Sequence, residues 1–248
     1  MQLREQLEKQ GRWLFKGRSY LPLIALPLVF LALGEPYKLE QMIGAAAINY
    51  WNGFCIIISF LGLIIRGVTV GYAPAGTSGR TTDRPEAARL NTSGMYSMIR
   101  HPLYLGNFLI ILGITLFVQV WWLALITILA FWLYYERIML AEEEFLRTEF
   151  GDSFREWTEK TPAFIIRLKD WKKPDLSFSI KNVLKREYAG FFVIVTSFTF
   201  LKILGDIFTK GALIINSRWI FAFIAGLFIF LILRTLKKKT KLLDVEGR

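Results

Sequence analysis

The chain has 248 residues, of which 54% are hydrophobic and 21% charged, with a formal net charge of +11. An average soluble domain is about 45–50% apolar with glycine included, and here the apolar residues gather in long uncharged blocks, so the composition excludes an ordinary soluble enzyme and points to the bilayer as solvent. The 21 Phe and 8 Trp fall mostly inside those blocks, which argues against a nucleic-acid surface, and the single cysteine, Cys55, excludes an internal disulfide or a multi-cysteine zinc site, so no metal is expected.

The first uncharged block runs from Ser19 to Gly34, between Arg18 and Glu35. The small pair Ala32 and Gly34 resembles a signal-peptide cleavage site, but the polar lead that contains Trp13 is long for one, so the block is read as a retained, short span. The second, Gln41 to Ile65, matches the roughly 20 residues that cross a hydrocarbon core about 30 Å thick. The third runs for 34 residues from Pro102 to Tyr135 and would be about 51 Å long as one helix, so it is predicted to fold as a helical hairpin. Gln119, Trp121 and Trp122 mark its turn at a membrane surface. Tyr188 to Leu201 and Trp219 to Leu233 reach spanning length if a flanking Lys or Arg snorkels. The expected fold is an all-α polytopic membrane protein of about six transmembrane helices.

Positive charge orients it. The segments before Ser19, from Arg66 to His101, from Glu136 to Glu187, and after Leu233 hold 27 of the 31 Lys and Arg; the remainder are Lys38, Lys202, Lys210 and Arg218. Both termini are therefore expected to be cytoplasmic. The organisation reads as helices 1–2 in 1–66, a core in 67–166, a basic interfacial segment in 167–187, and helices 5–6 with a basic tail in 188–248. Within the interfacial segment Trp171, Leu176, Phe178 and Ile180 alternate with basic residues, as in a stretch lying on anionic lipid. GYAPAGTSGR, at 71–80, follows a membrane helix rather than a strand and is read as a linker, not a phosphate loop.

The lone histidine, His101, follows Arg100 and precedes Pro102, a residue suited to the first turn of a helix. The pair thus sits at the cytoplasmic mouth of the hairpin, where free N–H groups and the helix dipole favour an anion. The second hairpin helix is predicted to continue through ERIMLAEEEFLRTEFG and to end at Gly151 with a left-handed cap. A hairpin returns to its starting side, so Glu142, Glu143 and Glu144 come back towards Arg100 and His101; alternatively the three acids form a solvated face, with Glu144 paired to Arg147.

RHPLYLG, an uncharged hairpin and EEEFLRTEFGDSFREWTEKTPAFI together resemble the isoprenylcysteine carboxyl methyltransferase family and its bacterial lipid and phospholipid methyltransferase relatives, over about residues 90 to 166. The resemblance implies S-adenosylmethionine as cofactor, with His101, Pro102, Tyr104, Gly106, Glu142 and Glu143 as its contacts. It also implies catalytic roles for Arg100 and His101. Ala88 stands where carboxyl-methylating members tend to carry histidine, Arg137 is displaced by one position from the basic residue that precedes the paired glutamates, and Ile166 replaces a frequent proline.

Methyl transfer from a sulfonium is an in-line displacement that needs positioning and exclusion of water. An ionised phosphate or carboxylate needs no general base, and a chain with one histidine offers few. The loop before the hairpin sets Arg80, Arg84, Arg89 and Arg100 against Asp83 and Glu86, a surplus suited to an anionic headgroup or to simple membrane anchoring. Arg89, Arg100 and Arg137 are the candidate substrate contacts. The expected function is an O-methyltransferase of a bacterial inner membrane, its site facing the cytoplasm, acting on a lipid phosphate or on the carboxylate of a prenylated cysteine. The alternatives are an N-methyltransferase of phosphatidylethanolamine, for which the sequence offers no evident base, and a non-catalytic lipid-binding or transport protein.

Overall fold

The computed structural model describes residues 2–17, 26–35, 38–77, 87–214 and 216–248. They form helices α1 (Leu3–Gly17), α2 (Leu26–Leu33), α3 (Lys38–Tyr72), α4 (Met95–Met98), α5 (Pro102–Phe117), α6 (Trp121–Lys160), α7 (Ile180–Lys210) and α8 (Ser217–Lys239), with one 3-10 turn at Leu168–Asp170. By length and composition four helical stretches can cross a membrane: Ala46–Tyr72, Trp121–Lys160, Ile180–Lys210 and Ser217–Lys239. The shorter apolar helix Pro102–Phe117 packs among them, and among the described residues Arg4 of α1 pairs with Glu144 at one end of the bundle whereas Glu35 after α2 accepts from Trp122 Nε1 at the other. The start of the Ser19–Gly34 block lies outside the described residues. Both described termini lie at the Glu144 end, where the Ala75 amide donates to the Gly247 carbonyl and Lys185 pairs with Asp244.

The hairpin forms as expected. Helix α5 ends at Phe117, α6 begins at Trp121, and Gln119 takes a φ of 66°, a left-handed value that non-glycine residues seldom adopt. Helix α6 does not end at Gly151. Gly151 adopts φ 51° and ψ −122°, outside the range open to other residues, and the helix resumes to Lys160 because Phe154 and Trp157 of its last two turns are buried. Helices α3 and α7 both extend beyond the apolar blocks that predict them, so Arg66 and Glu187 lie inside helices rather than in loops. The basic interfacial segment is partly folded back on the protein: Trp171 and Phe178 both pack edge-on against Tyr72, at 5.8 and 5.2 Å between ring centroids.

Small residues let α3 and α5 meet backbone to backbone. A Cβ at Gly62 would lie 2.4 Å from the Gly106 carbonyl oxygen, and one at Gly113 would lie 2.3 Å from Ser59 Oγ. In a bilayer, where burial against lipid-like side chains brings little, such close approach is a main source of helix association. Gly62→Val is therefore expected to push the helices apart and cost about 1–3 kcal/mol as an overpacked contact, read as a lower thermal midpoint of the detergent-solubilised protein. An unchanged midpoint would show that the contact is not tight.

Helix α1, polar enough to read as a simple lead, docks along α6. Phe15 is buried in a cluster with Tyr104, Tyr134, Tyr135 and Ile138. Tyr134 donates to the Leu14 carbonyl at 2.8 Å, and a Cβ on Gly11 would lie 2.0 Å from the Arg137 carbonyl oxygen.

Candidate functional site

Pro102 occupies the first turn of α5, with His101 as its N-cap at φ −120°. The residues leading to it are held in place by the chain that leaves α6. The Arg100 amide donates to the Pro162 carbonyl at 2.9 Å, the Arg167 amide to Met98 at 3.1 Å, and the Gly94 amide to Lys172 at 2.9 Å. Trp157 Nε1 donates to the Tyr96 carbonyl at 3.0 Å. Arg100 and His101 are thus fixed by backbone contacts on both sides before any side chain is considered.

The acids of α6 stand about 10 Å beyond Tyr135, the last residue of its uncharged run, at the 1.5 Å rise of a helix, outside the membrane-spanning part. Glu143 accepts from Arg100 Nη1 at 2.8 Å and from His101 Nε2 at 2.8 Å. Burial pushes the Glu143 carboxyl up, but the hydrogen bond and charge of His101 together with the Arg100 guanidinium outweigh it and hold the group below its ordinary value. An ionised Glu143 only accepts, so His101 Nε2 carries the proton of their hydrogen bond. Tyr104 donates to Glu142 Oε1 at 2.5 Å, and His101 Nδ1 lies 3.9 Å from Glu142 Oε2. The rings of Tyr104 and His101 stack at 5.8 Å, with Phe164 6.4 Å from His101 and Tyr135 4.8 Å from Tyr104. Arg100 Nε is buried with no hydrogen-bond partner among the described residues, so the guanidinium keeps a donor in reserve.

The structure therefore brings together Arg100, His101, Pro102, Tyr104, Glu142 and Glu143. Gly106 lies on the α3 contact, where a Cβ would meet Arg66 Cγ at 2.5 Å. Arg137 is engaged by α1, donating from Nε to Gln10 Oε1 at 3.0 Å. Arg89 is exposed on the loop before α4. Arg80, Asp83, Arg84 and Glu86 lie outside the described residues. Glu144 turns away from its neighbours to Arg4 at 2.5 Å and to Arg147, so the third acid is held in ion pairs with its side chain partly buried.

Two nearby features escape the sequence reading. Burial, then the charge of Glu142, pushes the Tyr96 hydroxyl well above its ordinary range against the opposing pull of Arg186 and Arg66. Arg66 grips the buried Glu187 with a fork, Nε at 2.7 Å and Nη2 at 3.0 Å, while Nη1 donates to Asn107 Oδ1 at 2.5 Å. The available signal for the second was a charge at the edge of each of two apolar blocks.

Residues 41–153 match the family described as phospholipid methyltransferase. The cobalt-zinc-cadmium resistance protein CzcN of Cupriavidus metallidurans is 33% identical over 159 residues, 60% of this chain and 71% of that protein. The nickel-cobalt-cadmium resistance protein NccN of Alcaligenes xylosoxydans xylosoxydans is 34% identical over 125 residues, 48% of this chain and 56% of that protein. The protein-S-isoprenylcysteine O-methyltransferase of Schizosaccharomyces pombe is 33% identical over 76 residues, 31% of this chain and 32% of that enzyme. No solved structure matches the chain.

Proposed function

The chain belongs to the phospholipid methyltransferase family, and on that premise we propose that it is an S-adenosylmethionine-dependent O-methyltransferase of a bacterial inner membrane, working from the cytoplasmic side on an anionic group presented by the bilayer. The acceptor is a lipid phosphate or the carboxylate of a prenylated cysteine. The observation that carries this reading is the convergence of Arg100, His101, Tyr104, Glu142 and Glu143 at the end of an apolar hairpin.

The donor set suits the cofactor. Glu142 and Glu143 offer anionic acceptors for its ammonium and ribose hydroxyls, the rings of Tyr104 and Phe164 offer faces for a cation or an adenine, and Arg100 Nε is a spare donor for its carboxylate. S-adenosylmethionine supplies a methyl group on a positively charged sulfur, which leaves as a neutral thioether. The work left to this chain is to hold an anionic oxygen in line, with Arg100 as the candidate contact for the acceptor, and to keep water away by means of the aromatic wall.

A second reading, N-methylation of phosphatidylethanolamine, gains from one observation. In its neutral form, donating from Nε2 to Glu143, His101 presents Nδ1 as a base for a substrate ammonium.

Methyl-labelled S-adenosylmethionine, incubated with the purified protein and bilayer lipids, separates the readings after the lipid is extracted and treated with alkali. Carboxyl methyl esters release volatile methanol readily, phosphate methyl esters release it more slowly, and N-methyl groups release none. Label retained through alkali would overturn the O-methyltransferase reading in favour of the second, and absence of both cofactor binding and label transfer would remove both.

A further inference from the structure

A second polar constellation lies at the opposite end of the bundle. One helix separates the two, since α5 begins beside Arg100 and ends at Phe117, about 24 Å away at the helical rise. There a cavity of about 590 Å³ is lined by Asn52, Gln119, Lys202, Asp206, Lys210 and Arg218 among others. Its volume falls within the roughly 300–1,000 Å³ usual for small-molecule sites and exceeds what a bare inorganic ion needs.

Three observations bear on what it takes. Sequence leaves only four basic residues on this side of the membrane, and three of them, Lys202, Lys210 and Arg218, line this one cavity. Lys202 and Lys210 both reach Asp206 at 2.9 Å, so one carboxylate faces three cations and two positive charges remain uncompensated within the lining. Asn52 Oδ1 and Gln119 Oε1 are buried and accept no hydrogen bond among the described residues, which native structures tolerate only where something else donates. Gln119 is also the non-glycine residue at positive φ in the hairpin turn, and backbone strain of that kind tends to collect at binding sites.

We propose that this cavity is a second binding site, for a phosphate that carries an N–H or O–H donor on its substituent. The surplus cations take the phosphate oxygens, and the two orphaned amide oxygens accept from the ammonium or hydroxyl. The headgroups of ethanolamine and glycerol phospholipids have this chemistry, and so does soluble phosphoethanolamine.

Native mass spectrometry of the full chain in detergent, with phosphatidylethanolamine, phosphatidylglycerol and phosphatidylcholine of equal chain length, tests it. Choline has no donor, so the wild-type protein is expected to retain the first two lipids several-fold over the third. Asn52→Leu should erase that preference. The double variant Lys210→Ala/Arg218→Ala, in which Lys202 still neutralises Asp206, should lower retention of all three at least fivefold. Arg218→Gln alone, an exposed position, serves if the double variant is unstable and should lower retention in the same direction. Arg100→Ala, at the other end of the bundle, should leave the preference intact. Displacement of bound lipid by soluble phosphoethanolamine assigns the site to the free compound as well, and failure to displace assigns it to the lipid. Wild-type retention in the charge variants, or loss of the preference in Arg100→Ala, overturns the proposal.

Discussion

Glu143→Ala is expected to weaken S-adenosylmethionine binding at least tenfold, about 1.4 kcal/mol, while expression and membrane insertion stay normal. Glu143 is the shared acceptor for Arg100 and His101, at 2.8 Å from each. Removing it leaves a guanidinium and an imidazole side by side without their counter-charge, and Arg100 loses a partner that fixes its direction. His101→Ala should act in the same sense through the other half of the pair. Because the Glu143 carboxyl is held below its ordinary value, the interaction persists through neutral pH and is lost only as pH falls through that lowered value. Calorimetric titration of cofactor into the solubilised protein reads both effects, and unchanged affinity in both variants would refute the site.

The largest loss of stability is expected from Glu187→Ala. Glu187 is 5% exposed and receives the two-pronged grip of Arg66, which also holds Asn107, so one guanidinium ties α3, α5 and α7 together. Breaking a buried ion pair from one side strands the other charge and typically costs about 3–5 kcal/mol. For a chain of this size that corresponds to a fall in thermal midpoint of the order of 10 °C. Replacing both partners, Arg66→Met with Glu187→Leu, removes the stranded charge and should recover much of the loss. A double variant no more stable than Glu187→Ala would show that the triad stabilises by more than charge pairing.

Much of the site was legible in sequence because it depends on rules that act along the chain. Thirty-four uncharged residues cannot be one span, so 102–135 had to turn back, and it does so at Gln119. Pro102 had to begin a helix, and a helix that returns must carry its acids to the side from which it left. Helix periodicity did not say which of three consecutive acids would enter the site; the family resemblance pointed to Glu142 and Glu143. Successive residues on a helix point about 100° apart, and in the fold Glu144 turns to Arg4 of α1 while Glu142 and Glu143 face His101.

Sequence by itself determined the solvent, the hairpin and the end of the bundle where the arginine, histidine and glutamates meet, because hydropathy and charge need only a water–lipid boundary to act on. The tertiary structure decided what depends on contacts between distant segments. It moved Arg66 and Glu187 out of loops and into one pair 121 residues apart in sequence, and tied Arg137 to Gln10 of α1. It also gathered Asn52 of α3, Gln119 of the hairpin turn and Arg218 of α8 into one cavity. Each of these is fixed by helix rotation and close packing at Gly62, Gly106 and Gly11, where steric fit between two surfaces selects the partner and neither surface specifies it alone.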